Sequence, residues 1–357
     1  MPVSFWRKHL IALIASALIT AGVIWTISRG GLKLVPDGGD FSGVHWWALA
    51  LYVPCWFLSQ WFRCIRWRFL LRAITEIPKR RLFAVGNAGL AVILLLPFRL
   101  GELARPYMLR TRPEERKDGE PVLTMTAATS STVAERVIDG LFVTIILALV
   151  LVLVPTLDPL PDKVANLPIS VAAVRASGFV MLGVFAGAFT VLAVFYFARD
   201  FADRATRAVI GKLSPRMAEK LCSLFEKLAD GLHVLGRARD AFGFLVETGL
   251  YWSFNILGMW VVARGCGLAI SLPETAGLMG MLACAILIPG PPGLLGLFQA
   301  GIYAGMAMYF PTAIVLGPGA AYVFLLYITQ LLLQLLTGMW GLYDEGGARR
   351  LRGALGS

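Results

Sequence analysis

The sequence predicts an all-α polytopic membrane protein, with about six full spans plus two re-entrant helical hairpins arranged as an inverted repeat within a single membrane domain, residues 1–357. Composition is the first reason. Hydrophobic residues make up 57% of the chain, and residues 275–343 contain no Asp, Glu, Lys, Arg or His. Hydrocarbon solvates no charge, and only a bilayer requires so long a neutral stretch. The second reason is that six apolar runs have about the 20 residues a spanning helix needs. The third is internal similarity. Leu90, Ala91, Leu95, Pro97, Gly101 and Leu103 recur 192 positions later as Leu282, Ala283, Leu287, Pro289, Gly293 and Leu295. Each copy is a short apolar run broken at proline, which lacks an N–H, and followed by glycine, which tolerates the turn. Paired, interrupted segments of this kind point to a central site between two halves.

The elements follow in order. The run 10–28 comes after Arg7-Lys8 as a signal sequence does, but no small-x-small site ends it, so it reads as an uncleaved first span. The run 44–62 is followed by Arg63, Arg66, Arg68, Arg72, Lys79, Arg80 and Arg81 against one acid, Glu76. The next run, 82–97, is flanked on its far side by Arg99, Arg105, Arg110, Arg112, Arg116 and Lys117. Basic loops belong in the cytoplasm. With both flanks cytoplasmic, the run cannot cross. It must fold back between Pro97 and Gly101, giving a re-entrant unit over 82–134 within a first half of 1–175. Spans at 135–155 and 176–198 follow.

Residues 199–240 read as a cytoplasmic amphipathic segment. Ser214-Pro215 starts a helix, and Leu213, Met217, Leu221, Leu224, Leu228 and Leu235 give it helical periodicity, suited to the inner leaflet or, alternatively, to an interface with a partner protein. The second half, 241–343, holds spans at 241–263 and 319–342. Between them a re-entrant pair, 275–310, is entered from the outer side and folded between Pro289 and Gly293. Outer loops carry only Arg29, Lys33, Lys163, Arg175 and Arg264 of the 33 Lys and Arg, while Arg136 opens a span. Both termini are therefore expected in the cytoplasm, and the chain in the cell inner (plasma) membrane as a multi-pass protein.

The net charge of +11 is thus explained by topology, and no nucleic-acid partner is expected. Five cysteines show no CxxC pair and no disulfide framework. Three histidines, His9, His45 and His233, lack metal-ligand spacing. No Walker motif, phosphatase-type histidine motif, multi-aspartate motif or Ser/His/Asp set stands out. No metal, cofactor or catalytic residue is expected.

Polar groups gather around the first hairpin. Asn87 lies inside the apolar run. Arg99, Glu102 and Arg105 follow Pro97, with Glu102 and Arg105 at i, i+3. Glu135, Arg136 and Asp139 open the next span. A charge at mid-bilayer costs about 2.5–3.5 kcal/mol on insertion scales, so these groups must lie near the interface, pair with one another, or line a polar cavity. The arginines after the second run, Arg63 to Arg72, are already accounted for as cytoplasmic anchors.

These residues carry a resemblance. Arg66-Trp67-Arg68-Phe69-Leu70-Leu71, Asn87, Leu96-Pro97-Phe98-Arg99-Leu100-Gly101-Glu102 and Arg105 resemble the lysylphosphatidylglycerol synthase transmembrane family of flippase-like proteins. Glu135-Arg136-Val137-Ile138-Asp139 is similar to its acidic-Arg-x-x-Asp element, and Pro289 to Gln299 to its second Pro/Gly-rich block. The family commonly has a glutamate near Gln299 and an arginine near Tyr327, and this chain has neither. Members that make aminoacylated lipid carry a large soluble catalytic domain as well, and residues 1–357 are expected to be the membrane domain without it. The resemblance implies a membrane domain that binds a phospholipid or related lipid, polyprenyl carriers included, and moves it between leaflets. Its lipid-binding candidates are Arg66, Asn87, Arg99, Glu102, Arg105, Glu135, Arg136, Asp139 and Gln299, with Pro97, Gly101, Pro289 and Gly293 as structural hinges. The alternatives are a non-transporting accessory protein, working with lipid-biosynthesis partner proteins, and a membrane-embedded enzyme.

Overall fold

The computed structural model describes residues 21–22, 25, 29, 31–95, 101–111, 122–163, 170–210, 212, 214–229, 237–288 and 291–355. Among them every regular element is helical. The expected span 10–28 falls almost entirely outside the described residues, as do Arg99, Pro97 and Pro289.

Helix α1 (Trp47–Ile65) runs straight into the short α2 (Trp67–Leu71), and the chain then enters α3 (Lys79–Leu95). After it come α4 (Ala104–Leu109) and α5 (Met125–Leu153). The Thr124 hydroxyl accepts from Ala127 N at 3.1 Å and so starts α5. That cap corrects the expected boundary at residue 135. Glu135, Arg136 and Asp139 lie three to four turns inside the helix, and 125–134 belongs to α5 rather than to the hairpin.

Next are α6 (Val171–Phe197), α7 (Arg199–Ile210), α8 (Pro215–Ala229) and α9 (Ala238–Gly265). The amphipathic segment is two helices, not one, and Met217 N donates to Ser214 Oγ at 3.3 Å at the expected start of α8. The last group is α10 (Leu272–Ile286), α11 (Leu297–Met306), α12 (Thr312–Leu316) and α13 (Pro318–Leu355). A reciprocal capping box opens α10: Ser271 N donates to Glu274 Oε2 at 2.7 Å and Glu274 N to Ser271 Oγ at 3.3 Å.

Among the described residues, three helices are both long and apolar enough to cross a membrane: Met125–Leu153, Val171–Phe197 and Pro318–Gly346. Helices α1 and α9 have the length but are more polar. They pack on each other, and α1 ends at Arg66 of the ionic core described below, against which α9 sets Phe244, Thr248 and Tyr251.

Helices α3 and α4 fold back on each other as one antiparallel helical hairpin, and α10 and α11 as a second. In the first, Gly101 lies on the backbone of Val92 and Ile93, and the Arg105 side chain crosses Gly89. Four residues forward on one arm thus meet four residues back on the other. In the second, Gly301 lies 3.0 Å from Leu282 Cα and Gly305 3.1 Å from Leu278 Cα, measured from where a Cβ would stand. Such small residues let backbones approach where lipid offers no hydrophobic drive.

The two glycines expected as hinges differ physically. Gly293 has φ +69°, and the same turn holds Gly296 at +86° and Leu294 at +55°, backbone that favours glycine. Gly101 is absent from the left-handed residues; it is needed because a side chain there would collide with α3.

The pairing of helices is reciprocal. The first hairpin's α3 packs on α13, with Gly338 on Ala91 and Gly341 on the Ala84 carbonyl. The second hairpin's α10 packs on α5, with Gly280 2.8 Å from Leu147 and Gly277 3.1 Å from Val150 by the same measure. Between these pairs α1 lies along α9, and His45 N donates to the Gly265 carbonyl at 2.7 Å. In the connection before α1, the carboxylates of Asp37 and Asp40 accept from the Lys33 ammonium at 2.6 and 2.7 Å and hold its pKa above the ordinary lysine value.

Candidate functional site

The junction of α1 and α2 turns Arg66 and Trp67 inward, and both are fully buried. The Arg66 guanidinium meets Asp139 through two parallel hydrogen bonds, each 2.5 Å, and Glu135 Oε1 at 3.1 Å. Its Nη1 also donates to Thr248 Oγ1 at 2.9 Å. The rings of Tyr251 and Phe244 cover its faces at 5.0 and 5.3 Å. Glu135 is shared: its other oxygen lies 3.2 Å from Arg105 Nη1. Arg105, carried in by α4, stacks over the Trp67 indole at 4.5 Å, and that indole donates to Ser131 Oγ at 3.0 Å.

Two cations and two carboxylates therefore close into a neutral core that ties α1, α2, α4, α5 and α9 together. An isolated charge buried here would be prohibitive, whereas charges paired with one another are tolerated, with Arg66 hydrogen-bonded to both carboxylates and Arg105 held by Glu135 as an ion pair. Toward the end of α9 that begins at Ala238, Arg68 pairs with Glu247 and Arg72 with Asp240, the latter at 2.9 Å.

A cavity of about 290 Å³ opens beside this core, with Asp139 as their common wall. Arg63 of α1, Glu102 before α4, Arg136 of α5, Trp252 and Asn255 of α9 and Gln330 of α13 supply its polar lining. Phe185, Val143, Leu282 and Leu287 are among its apolar residues. Among the described residues, Arg63 and Arg136 form no ion pair within 4.0 Å. The Arg63 Nε, Arg136 Nε and Trp252 Nε1 atoms are all buried without a hydrogen-bond acceptor. Arg63 and Arg136 are arginines of the same shell as Arg66 and Arg105, but the core has no carboxylate left for them. Such a site offers donors to an anion, and arginine's planar fork matches phosphate or carboxylate oxygens.

The residues expected as lipid contacts thus separate. Glu102, Arg136 and Asp139 line the cavity. Arg66, Arg105 and Glu135 form the core, and Arg105 reaches Glu135 rather than serving as half of an i, i+3 pair with Glu102. Asn87 and Gln299 are elsewhere and buried. Asn87 Nδ2 donates to the Phe83 carbonyl at 2.9 Å, and its own carbonyl accepts from Gln334, which in turn accepts from Gln60 at 2.6 Å. This polar chain joins α1, α13 and α3. Gln299 Oε1 accepts from Gly296 N at 2.6 Å and caps α11. Tyr327 donates to the Gly293 carbonyl at 3.1 Å. Gln299 and Tyr327 thus hold the same turn, one bond each. The charge pattern alone makes Arg63 an anchor, and it does not mark Trp252, Asn255 or Gln330. An Asn inside the run 241–263 and a Gln inside a charge-free span were the available signals.

Long apolar helices, a buried ionic core and a donor-lined cavity define an integral membrane protein with a polar interior site. The chain belongs to the family described as the lysylphosphatidylglycerol synthase TM region, whose model matches residues 13–338. It is accordingly a membrane protein of lipid metabolism. Neither the curated proteins nor the solved structures include a significant match.

Proposed function

We propose that this protein binds the anionic headgroup of a lipid in the cavity between α1, α5, α9 and α10, and moves that lipid between the leaflets of the inner membrane. The observation that carries the reading is the set of three buried N–H groups, on Arg63, Arg136 and Trp252, that lack acceptors at one cavity. A phosphate cannot cross hydrocarbon bare, and a polar cavity replaces its hydration with fixed donors. Family membership supports a lipid as the carrier of that phosphate.

An inverted repeat is the architecture that suits this task, with both hairpins re-entrant and both termini cytoplasmic. Its support is the reciprocal packing of α3 on α13 and α10 on α5 about the α1–α9 pair. A second support is spacing. Glu135, which holds Arg105, and Tyr327, which holds Gly293, are 192 residues apart, the same interval as the repeated prolines. Alternating access in such folds rocks one unit against the other around a central site.

The test is leaflet exchange in proteoliposomes. Purified protein is reconstituted with a fluorescent phosphatidylglycerol, and the fraction accessible to an impermeant quencher is followed. Wild type should raise exchange above empty vesicles, and Arg63→Ala and Arg136→Ala should each reduce it. Exchange equal to that of empty vesicles, across several anionic lipids, would leave headgroup binding without transport.

A further inference from the structure

Helix α5 serves two spaces at once. Asp139, Gly140, Val143 and Thr144 face the cavity. Ile138, Leu141 and Ile145 face instead an apolar groove of about 200 Å³, completed by Phe189 of α6 and by Ala241 and Leu245 of α9. Every residue lining that groove is apolar. Helix α6 contributes one aromatic ring to each space, a single turn apart: Phe189 to the groove and Phe185 to the cavity. The Phe185 ring rests on Gly140, where any Cβ would overlap it. Helix α6 is also the least buried of the three long apolar helices, at 17% against 44% for the other two.

We propose that the groove holds an acyl chain of the same lipid whose headgroup occupies the cavity, and that the Phe185 ring on Gly140 is the movable partition between the two spaces. The proposal rests on the anionic-lipid reading above. A phospholipid is polar at one end and apolar along its chains, so a site built for it needs a polar slot and an apolar track sharing a wall. Here three helices, α5, α6 and α9, line both. Neighbouring residues of α5, such as Ile138 and Asp139, or Thr144 and Ile145, face opposite spaces. A chain passing from bilayer to groove exchanges one hydrocarbon surround for another, so little affinity is gained there. The groove's contribution is orientation: it fixes how the lipid lies while its headgroup is held. The shallow packing of α6 is what permits Phe185 to leave its seat.

The experiment uses full-length protein in nanodiscs containing a phosphatidylglycerol with a photoactivatable diazirine at mid-chain. Crosslinked peptides are located by mass spectrometry. A diacylglycerol with the same chain reports ordinary boundary lipid. Phosphatidylglycerol should label peptides containing Leu141 and Leu245 well above the level given by diacylglycerol. Arg136→Ala should reduce that excess about tenfold or more, the loss expected for one hydrogen bond to a charged group. Labelling around Leu149 and Val152, exposed on α5, should not change. Leu245→Trp, which fills the groove without touching the cavity, should abolish the excess while leaving sn-glycerol 3-phosphate binding intact. Equal labelling by the two lipids, with leaflet exchange still dependent on Arg136, would overturn the groove alone. Loss of neither exchange nor glycerophosphate binding in Arg136→Ala would overturn the headgroup site beneath it.

Discussion

Arg66 and Asp139 are joined by two parallel hydrogen bonds of 2.5 Å, 73 residues apart in the chain and out of contact with water on the arginine side. The pair ties the end of α1 to the middle of α5, and Glu135 ties the same arginine to Arg105. Breaking a buried pair from one side leaves an uncompensated charge. Asp139→Asn and Glu135→Gln should therefore each destabilise the protein by about 3–5 kcal/mol. Unfolding in detergent, followed by circular dichroism, checks this. Arg66→Leu combined with Asp139→Leu should recover part of the loss. A double variant no better than the single ones would mean that geometry, not charge, is what the pair supplies.

Arg105 and Arg136 should part company when stability and binding are measured separately. Arg136→Ala should weaken binding of a phosphate-bearing headgroup by about 1.5–3 kcal/mol with folding intact, and Arg136→Lys should restore only part, because an ammonium lacks the planar fork. Trp252→Phe removes one neutral donor and should cost about 0.5–1.5 kcal/mol of binding. Arg105→Ala should instead lower thermal stability, by removing a partner of Glu135, while the folded fraction binds nearly as wild type. Calorimetry on the monomeric fraction separates these outcomes.

Gly101 and Gly293 should fail for different reasons. Gly101→Ala forces a methyl into the α3 backbone and should cost about 1–3 kcal/mol, the range for overpacking. Gly293→Ala strains a φ of +69°, costing about 1–2 kcal/mol, and sets its methyl 3.0 Å from the Tyr327 hydroxyl, a side chain that can give way where the α3 backbone cannot. Gly293→Asn should be the milder change, since asparagine tolerates that conformation, whereas Gly101→Asn should be worse than alanine. Melting temperatures of the four variants settle the ranking; if asparagine is equally harmful at both sites, crowding governs both.

Topology is open to direct labelling. Single cysteines replacing Asp37 and Asp162 should react with an impermeant thiol reagent from outside, and those replacing Arg80 and Lys220 only after the membrane is opened. Arg112, which lies outside the described residues, decides the first hairpin: labelling of Arg112→Cys from outside would show that the run 82–97 crosses.

Much of this was legible in the chain. Absence of charge over 275–343 foretold the apolar helices there, and the Pro–Gly echo at an interval of 192 foretold that α3 folds back on α4 and α10 on α11, because desolvation and helix breaking act locally. The position of Glu135 within its helix was missed, since the Thr124 cap is a weak signal beside a polar stretch. Roles within the arginine shell were not legible either. Arg63, Arg66, Arg105 and Arg136 are equivalent by charge, and which two are neutralised depends on where Glu135 and Asp139 sit in three dimensions. Gln299 and Asn87 showed the same limit: both are polar residues in apolar surroundings, and only the fold reveals that backbone groups satisfy them.

The contact of α3 with α13 has a mechanical meaning that the order of the chain conceals. Glycine seats at Gly338 and Gly341, the Gln334 bridge to Asn87, and the links from Arg80 to Asp344 and from Arg81 to Glu345 fasten the first hairpin to the last helix. Among the described residues, the second hairpin is seated on α5 through Gly277 and Gly280 alone of these kinds of link. Each hairpin is thus carried by a helix from the opposite half of the sequence, like two hands each holding the other's wrist. Any rocking motion would move these crossed pairs as its rigid arms, with the α1–α9 contact as the pivot. Cutting the polypeptide between residues 163 and 170 would divide the sequence in two, yet each crossed pair would keep one helix from either piece.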